Sequence, residues 1–150
     1  MKNQKKDSHK RDFIESWNSI EEFYNSFSGN WSSSGKDAIR LIKQMRDLGL
    51  DEKIRVGQAL TTFFLSRNRN HGLDKEPHIQ ITFLGNNKMN VTSNFNGEGI
   101  FNGQNNSMEC EVNYAEYLQE IVHKLLEKEI ILNEYKEDDL DTFFASLDSD

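Results

Sequence analysis

Residues 51–84 decide the predicted fold, and they read DEKIRVGQALTTFFLSRNRNHGLDKEPHIQITFL. Val56, Leu60, Phe63 and Phe64 recur at helical spacing, which predicts an amphipathic helix with these residues on its apolar face in the first half of the stretch. A basic loop follows, and from His78 the apolar residues alternate with polar ones, which is the pattern of a strand. The stretch therefore predicts that the chain changes here from helices to a sheet.

Two more helices are predicted before this stretch. Asp12 and Glu15 have the spacing of a capping box, and aromatic residues then recur at helical intervals as far as Gly29. Ser34 begins a second apolar stripe, which stops at Gly49. The N-terminal part of the chain is therefore expected to hold three helices.

An antiparallel sheet is predicted after the basic loop. Alternation predicts strands at residues 78–84 and 88–94, and a tight Gly-Asn-Asn turn at residues 85–87 joins them. Residues 100–101 and 107–112 have the composition of two shorter strands. The links between these segments are rich in Asn and Gly, which favours a meander of three to four strands.

The C-terminal part is predicted to return to helix. Apolar residues repeat at helical spacing from Asn113 to about Glu129, and an acidic segment with a Leu and Phe stripe follows. The predicted class is α+β, with three N-terminal helices, a small antiparallel sheet, one long C-terminal helix and a short acidic helical tail. The predicted division is a flexible basic tail at 1–11, a single domain at 12–135 and an acidic amphipathic tail at 136–150.

Charge is unevenly distributed along the 150 residues, whose formal net charge is −7. Residues 1–75 hold 14 Lys and Arg against 10 Asp and Glu, whereas residues 76–150 hold 4 against 15. An acidic second half attracts basic partners and repels nucleic acid. A solvated acidic surface that aids solubility is the simpler interpretation of the same charges.

Several classes of site lack their sequence patterns. No apolar run is long enough to cross a bilayer and the N-terminus has no apolar signal segment, so a cytoplasmic protein without membrane contact is expected. Cys110 is the single cysteine, which excludes an internal disulfide. The His and Cys residues lack zinc-binding spacing, and Gly97, Gly99 and Gly103 lack the spacing of a dinucleotide loop. No metal, cofactor or catalytic residue is therefore predicted.

The leading functional hypothesis is a non-catalytic protein that binds or inhibits another protein, expected to be basic. Small acidic inhibitors such as immunity and antitoxin proteins share this charge profile, although they share no residue pattern with the chain. The predicted partner-binding residues are acidic or lie in the acidic tail: Glu98, Glu109, Glu111, Asp138, Asp139, Phe143 and Phe144. The tail could instead dock on its own domain.

An alternative hypothesis uses the basic loop at residues 66–78. Arg67 and Arg69 could clamp a phosphate, and His71 and His78 could act as acid and base, as in a small enzyme or a binder of a phosphorylated ligand or nucleic acid. No second catalytic group is identifiable, so the enzyme version is the weaker one. The sequence leaves the partner's identity and the oligomeric state open.

Overall fold

Three α-helices and five β-strands form the part of the chain that the computed structural model describes, which is residues 2–68, 77–95 and 106–130. The helices are α1 (Lys2–Asn25), α2 (Ser32–Asp47) and α3 (Glu116–Leu126), with 3₁₀ turns at Gly29–Trp31 and Leu50–Glu52. The strands are β1 (Arg55–Ala59), β2 (Thr62–Ser66), β3 (His78–Gly85), β4 (Lys88–Asn94) and β5 (Asn106–Glu111). The fold is mixed α+β.

The five strands form one antiparallel sheet in which strand order equals chain order. Phe63 of β2 lies opposite Ile81 of β3, which lies opposite Val91 of β4, which lies opposite Met108 of β5. Since side chains alternate between the two faces of a strand, this row of apolar residues defines one face of the sheet. The helices pack on that face.

The hydrophobic core lies between this face and the three helices. Trp17 and Ile20 from α1, Ile42 from α2 and Val122 from α3 are buried together with the apolar row of the sheet. Fully burying a large apolar side chain stabilises a fold by about 1.5–3 kcal/mol. The helix spacing and the strand alternation in the sequence therefore serve the same core.

Helix α1 also covers the outer edge of β1. The backbone N–H of Val56 donates to the Ser16 hydroxyl at 3.1 Å, and the Trp17 indole N–H donates to the carbonyl of Ile54 at 2.8 Å. These are backbone groups that an edge strand would otherwise present to solvent. The sheet is thus closed at this edge by two side chains of α1.

Helix α2 is bound to the turn between β3 and β4. Ser33 accepts a hydrogen bond from the backbone N–H of Asn86 at 2.8 Å, and Asp37 accepts one from the backbone N–H of Asn87 at 2.9 Å. Arg40 donates to the side chain of Asn87. As predicted, the turn uses positive φ angles, 84° at Gly85, 55° at Asn86 and 63° at Asn87.

The predicted third helix in residues 51–67 is wrong. This segment contains a 3₁₀ turn at Leu50–Glu52 and then the β1–β2 hairpin. The hairpin turns at Leu60 and Thr61, where Leu60 has a φ of 54°. The turn carries none of the Gly, Asn or Pro residues that usually mark a hairpin, so the apolar residues on either side of it appear in sequence as one continuous helical stripe.

The predicted C-terminal arrangement is also wrong. Helix α3 has 11 residues and ends at Leu126, so one long helix is not present in the described residues. The sheet has five strands where three to four were expected, because the hairpin adds two. At the other end, α1 begins at Lys2, inside the segment predicted as a flexible tail. The domain division stays a prediction. The predicted short strand at residues 100–101 and residues 131–150 lie outside the described part.

Candidate protein-binding surface

The face of the sheet opposite the helices carries polar and charged side chains, and we call it the open face. Its accessible part consists of alternating residues of β2 to β5, which are Thr62, Phe64, Gln80, Thr82, Lys88, Asn90, Thr92, Ser107, Glu109 and Glu111. Each of these side chains is exposed or half-buried. At one end of the same face Ser66, His78 and Asn94 are buried, and they are not counted in the open face. None of the helices in the described residues packs on the open face, so it is the described surface best suited to recognition.

Hydrogen bonds between strands order the side chains of the open face. The hydroxyl groups of Thr62 and Thr82 are 2.8 Å apart across β2 and β3. Ser107 of β5 donates to the side-chain oxygen of Asn90 at 3.1 Å, and its hydroxyl is also 3.1 Å from that of Thr92. Cross-strand pairs of this kind fix side-chain orientation on a sheet. The surface is therefore preorganised before any partner binds.

Glu109 and Glu111 stand at the β5 margin of the open face, and both are exposed. Glu111 lies opposite Lys88 and Glu109 lies opposite Asn90. Neither carboxylate forms a salt bridge with a described residue, so the charge of Glu109 in particular is not neutralised by its neighbour across the strands. The other predicted partner-binding residues lie outside the described residues: Glu98, Asp138, Asp139, Phe143 and Phe144.

Phe64 is a surface residue that sequence reasoning missed. A helical stripe placed it in the core, but in β2 it alternates with the buried Phe63 and so points to the open face. It lies half-buried between Gly57 of β1 and Gln80 of β3. Aromatic side chains are enriched among the residues that dominate interface energetics. Reading residues 62–66 as a strand would have found it.

Cys110 lies between the two glutamates but points to the helix side of β5. It is half-buried and packs against the core. Burial, and to a smaller extent the charge of Glu109, raise the pKa of its thiol. A raised pKa reduces the thiolate fraction at neutral pH, so the geometry is that of a packing residue rather than of a nucleophile.

Arg67 is held by backbone carbonyl groups. Its Nε donates to the carbonyl of Lys128 at 3.1 Å and its Nη1 donates to the carbonyl of Lys53 at 2.9 Å. Burial lowers the pKa of this guanidinium, although arginine stays charged in proteins. Arg67 thus ties the end of β2 to the chain around the 3₁₀ turn and to the chain after α3.

A hollow of about 390 Å³ lies beside Arg67. Residues from α1, from the 3₁₀ turn and from the end of α3 line it: His9, Lys10, Glu52, Lys53, Arg67, Leu126 and Ile130. Three of its charged groups are cationic and one is anionic. The C-terminal end of α3 borders the hollow at Leu126, and the partial negative charge of a helix C-terminus opposes an anion.

His78 is not brought to Arg67. It lies opposite Ser66 and Asn94 and is fully buried, at 0% exposure. Its Nε2 is 3.4 Å from the amide nitrogen of Gln80. Because His78 and Ser66 share the polar side of the sheet and Arg67 bonds on the helix side, the two members of the predicted anion site point in opposite directions. Arg69 and His71 lie outside the described residues.

The described residues contain neither a metal-binding cluster nor a helix that could span a membrane. No cluster of three or more His, Cys, Asp or Glu side chains could hold a metal ion, and no described helix is long and apolar enough to cross a membrane. Comparison with known proteins found no relationship, since no protein-family model, no curated protein and no solved structure gives a significant match to the chain.

Proposed function

We propose that this chain is a non-catalytic binding protein that engages a basic protein through the open face. The observation that carries the proposal is the pair of exposed carboxylates, Glu109 and Glu111, on a sheet face whose other side chains are already ordered by hydrogen bonds. Ordered side chains lose little entropy when a partner binds, which favours affinity. A cytoplasmic inhibitor of the immunity or antitoxin type would have these properties.

The net charge of the second half of the chain also supports the proposal. Residues 76–150 hold 15 Asp and Glu against 4 Lys and Arg. Two of the 15, Glu109 and Glu111, lie on the strands of this half, and nine lie outside the described residues. An acidic surface speeds the approach of a basic partner, and the acceleration falls as salt screens the charges. Binding is therefore expected to be fast at low ionic strength and weaker at high ionic strength.

The alternative, a site for a phosphorylated ligand or nucleic acid in the basic loop, has less support. Two of the donor groups of Arg67 are occupied by backbone carbonyls, and His78 is buried on the other side of the sheet. A phosphate clamp needs several donors that converge on one point. The described members of that set do not converge.

The test compares two charge-reversal pairs that change net charge equally. Glu109→Lys with Glu111→Lys reverses the open face, whereas Glu120→Lys with Glu127→Lys reverses two exposed positions at and just beyond α3. A partner captured from native cells is purified, and its affinity for each variant is measured by calorimetry at low and at high salt. The open-face pair is expected to weaken binding and to reduce its salt dependence, and the α3 pair is expected to do neither.

Two results would count against the proposal. If the open-face pair binds the partner as tightly as the native chain does, the open face is not the binding surface. If both pairs weaken binding equally, net charge alone explains the association and the surface has no special role. Circular dichroism of each variant shows whether the fold is retained before either result is interpreted.

A further inference from the structure

The two edge strands of the sheet differ in whether their outward backbone groups are hydrogen-bonded. At β1 the outward backbone groups of Val56 and Ile54 are bonded to Ser16 and Trp17 of α1. At β5 the described residues provide no equivalent cover. An uncovered edge presents a row of N–H and C=O groups that can pair with another strand.

The hydrogen-bonding phase of β5 shows which residues carry these outward groups. The backbone N–H of Val112, directly after β5, donates to the carbonyl of Asn87 at 3.1 Å. In an antiparallel pair alternate residues bond to the partner strand, so Cys110 and Met108 turn their backbone groups toward β4. Ser107, Glu109 and Glu111 therefore turn theirs outward, and none of the three has a further backbone hydrogen bond in the described part of the chain.

The same three residues also project their side chains onto the open face. Glu109 and Glu111 thus present to one side of the molecule both a carboxylate and backbone groups that no described residue pairs. Met108 and Cys110 face the helix side, and Met108 keeps 36% of its surface exposed although it lies in a strand. A strand placed beside β5 would meet carboxylates on one of its faces and a partly exposed apolar side chain on the other.

We propose that β5 accepts an extended segment of the partner protein as a sixth, antiparallel strand, and that this segment alternates basic and apolar residues. Its basic side chains lie opposite Glu109 and Glu111 on the open face, and its apolar side chains lie beside Met108. Strand addition supplies affinity through backbone hydrogen bonds and specificity through alternate side chains. The inference rests on the proposed function and specifies how the basic partner binds.

A second copy of this chain fits the edge less well than a basic strand does. Antiparallel pairing of β5 with β5 places Glu109 opposite Glu111 when the two-fold axis passes through Cys110, and Glu109 opposite its own copy when the axis passes through Glu109. Like charges that lie directly opposite each other destabilise a strand pair. The edge therefore disfavours self-association and favours a strand of opposite charge.

The test uses the full chain and a synthetic peptide of sequence acetyl-Lys-Val-Lys-Val-Lys-Val-amide. In the proposed register its lysines lie opposite Ser107, Glu109 and Glu111, and the lysine backbone groups bond to β5 while the valine backbone groups face away. Two methylated forms are compared, one with N-methyl groups on the three lysine amides and one with N-methyl groups on the three valine amides. A peptide with the lysines and valines grouped in blocks has the same composition without alternation.

Calorimetry at low salt is expected to show binding of the unmodified peptide and of the valine-methylated form. The lysine-methylated form is expected to bind at least about tenfold more weakly, because its three N–H donors toward β5 are lost. The block peptide is also expected to bind more weakly. Amide hydrogen exchange should slow at Ser107, Glu109 and Glu111 when the unmodified peptide binds, since their N–H groups become bonded.

The outcomes separate this inference from the proposed function. Equal affinity of the two methylated forms, combined with loss of binding in Glu109→Lys with Glu111→Lys, shows recognition of charge without strand addition and overturns the inference alone. If the peptide still binds the Glu109→Lys, Glu111→Lys variant, and methylation of the lysine amides abolishes this binding, the acidic-surface proposal is overturned instead. Failure of the unmodified peptide to bind overturns the inference.

Discussion

Replacement of Gly35 by alanine tests the packing of α1 against α2. A Cβ at this buried position would lie 2.7 Å from the Cβ of Phe27 and 2.8 Å from the carbonyl oxygen of Tyr24. Both contacts are shorter than carbon and oxygen atoms tolerate, and neither atom is the end of a flexible side chain. The N-terminal turn of α2 must therefore move away from α1, and its hydrogen bonds to the β3–β4 turn must stretch.

Two opposing terms set the expected size of the effect. Alanine favours the helix over glycine by about 1 kcal/mol. Overpacking in a close-packed interior costs about 1–3 kcal/mol, and two simultaneous contacts with rigid atoms place Gly35→Ala at the upper end of that range. The net loss in free energy of unfolding is therefore about 2 kcal/mol. For a chain of this length such a loss lowers the melting temperature by about 4–8 °C.

Gly57→Ala is the matched control, because a Cβ there meets no atom closer than 4.0 Å, the distance to Nη1 of Arg55. Urea unfolding of both variants is followed by tryptophan fluorescence, with the buried Trp17 as the reporter of the core. The control is expected to unfold within about 0.5 kcal/mol of the native chain. If the urea midpoint of Gly35→Ala equals or exceeds that of the native chain, the close approach of α1 and α2 is wrong.

Three smaller predictions use the same chain. Leu60→Asn should raise the free energy of unfolding by about 1 kcal/mol, since Leu60 is 69% exposed and has a φ of 54°; a lower urea midpoint contradicts this. Ser16→Ala should lower the free energy of unfolding by about 1 kcal/mol because the N–H of Val56 loses its acceptor. An unchanged urea midpoint would show that water replaces the hydroxyl. Cys110 should react with iodoacetamide more slowly at pH 8 than a free cysteine because burial raises its pKa. Glu109→Gln should speed the reaction, because it removes the negative charge that is the smaller cause of the raised pKa. If Cys110 of the native chain reacts as fast as free cysteine, its pKa is not raised.

Local sequence patterns correctly predict those elements whose own residues are enough to determine their structure. Residues 78–94 alternate, and a Gly-Asn-Asn turn with positive φ joins their two halves, so both strands and their connection could be predicted. The second helix was predicted because its apolar residues recur at a spacing that only a helix places on one face. In each case propensity, pattern and turn chemistry agree.

The first hairpin could not be predicted from the helical stripe, because two periods fit the same residues. Val56 and Phe63 are buried in strands, whereas Leu60 occupies the turn and Phe64 faces the other side. Gly57, which disfavours a helix interior, and the β-branched and aromatic residues that follow Leu60 were the local signals for strands. Tertiary packing against α1 decides between the two structures.

The candidate surface, too, could be predicted from the sequence only in part. Alternation in residues 107–112 predicts that Glu109 and Glu111 point away from the core, and the structure places them so. That β5 is an edge, and that its outward backbone groups belong to the same glutamates, depends on strand order and on the phase of hydrogen bonding along five strands. Neither property is encoded in any single segment.

The meander order of the sheet has a consequence for how the chain folds. Every strand pairs with its neighbour in sequence. Two of the four connections are two-residue turns and the other two, residues 67–77 and 95–105, have 11 residues each, so closing them costs less entropy than pairing strands far apart in sequence. We therefore expect the β1–β2 and β3–β4 hairpins, each with a two-residue turn, to form before the pairings across the longer connections. The contact of Ser16 with Val56 spans 40 residues, and forming it requires α1 to be brought back across the sheet. We therefore expect α1 to dock after the hairpins form, because its contacts with the sheet close a longer loop.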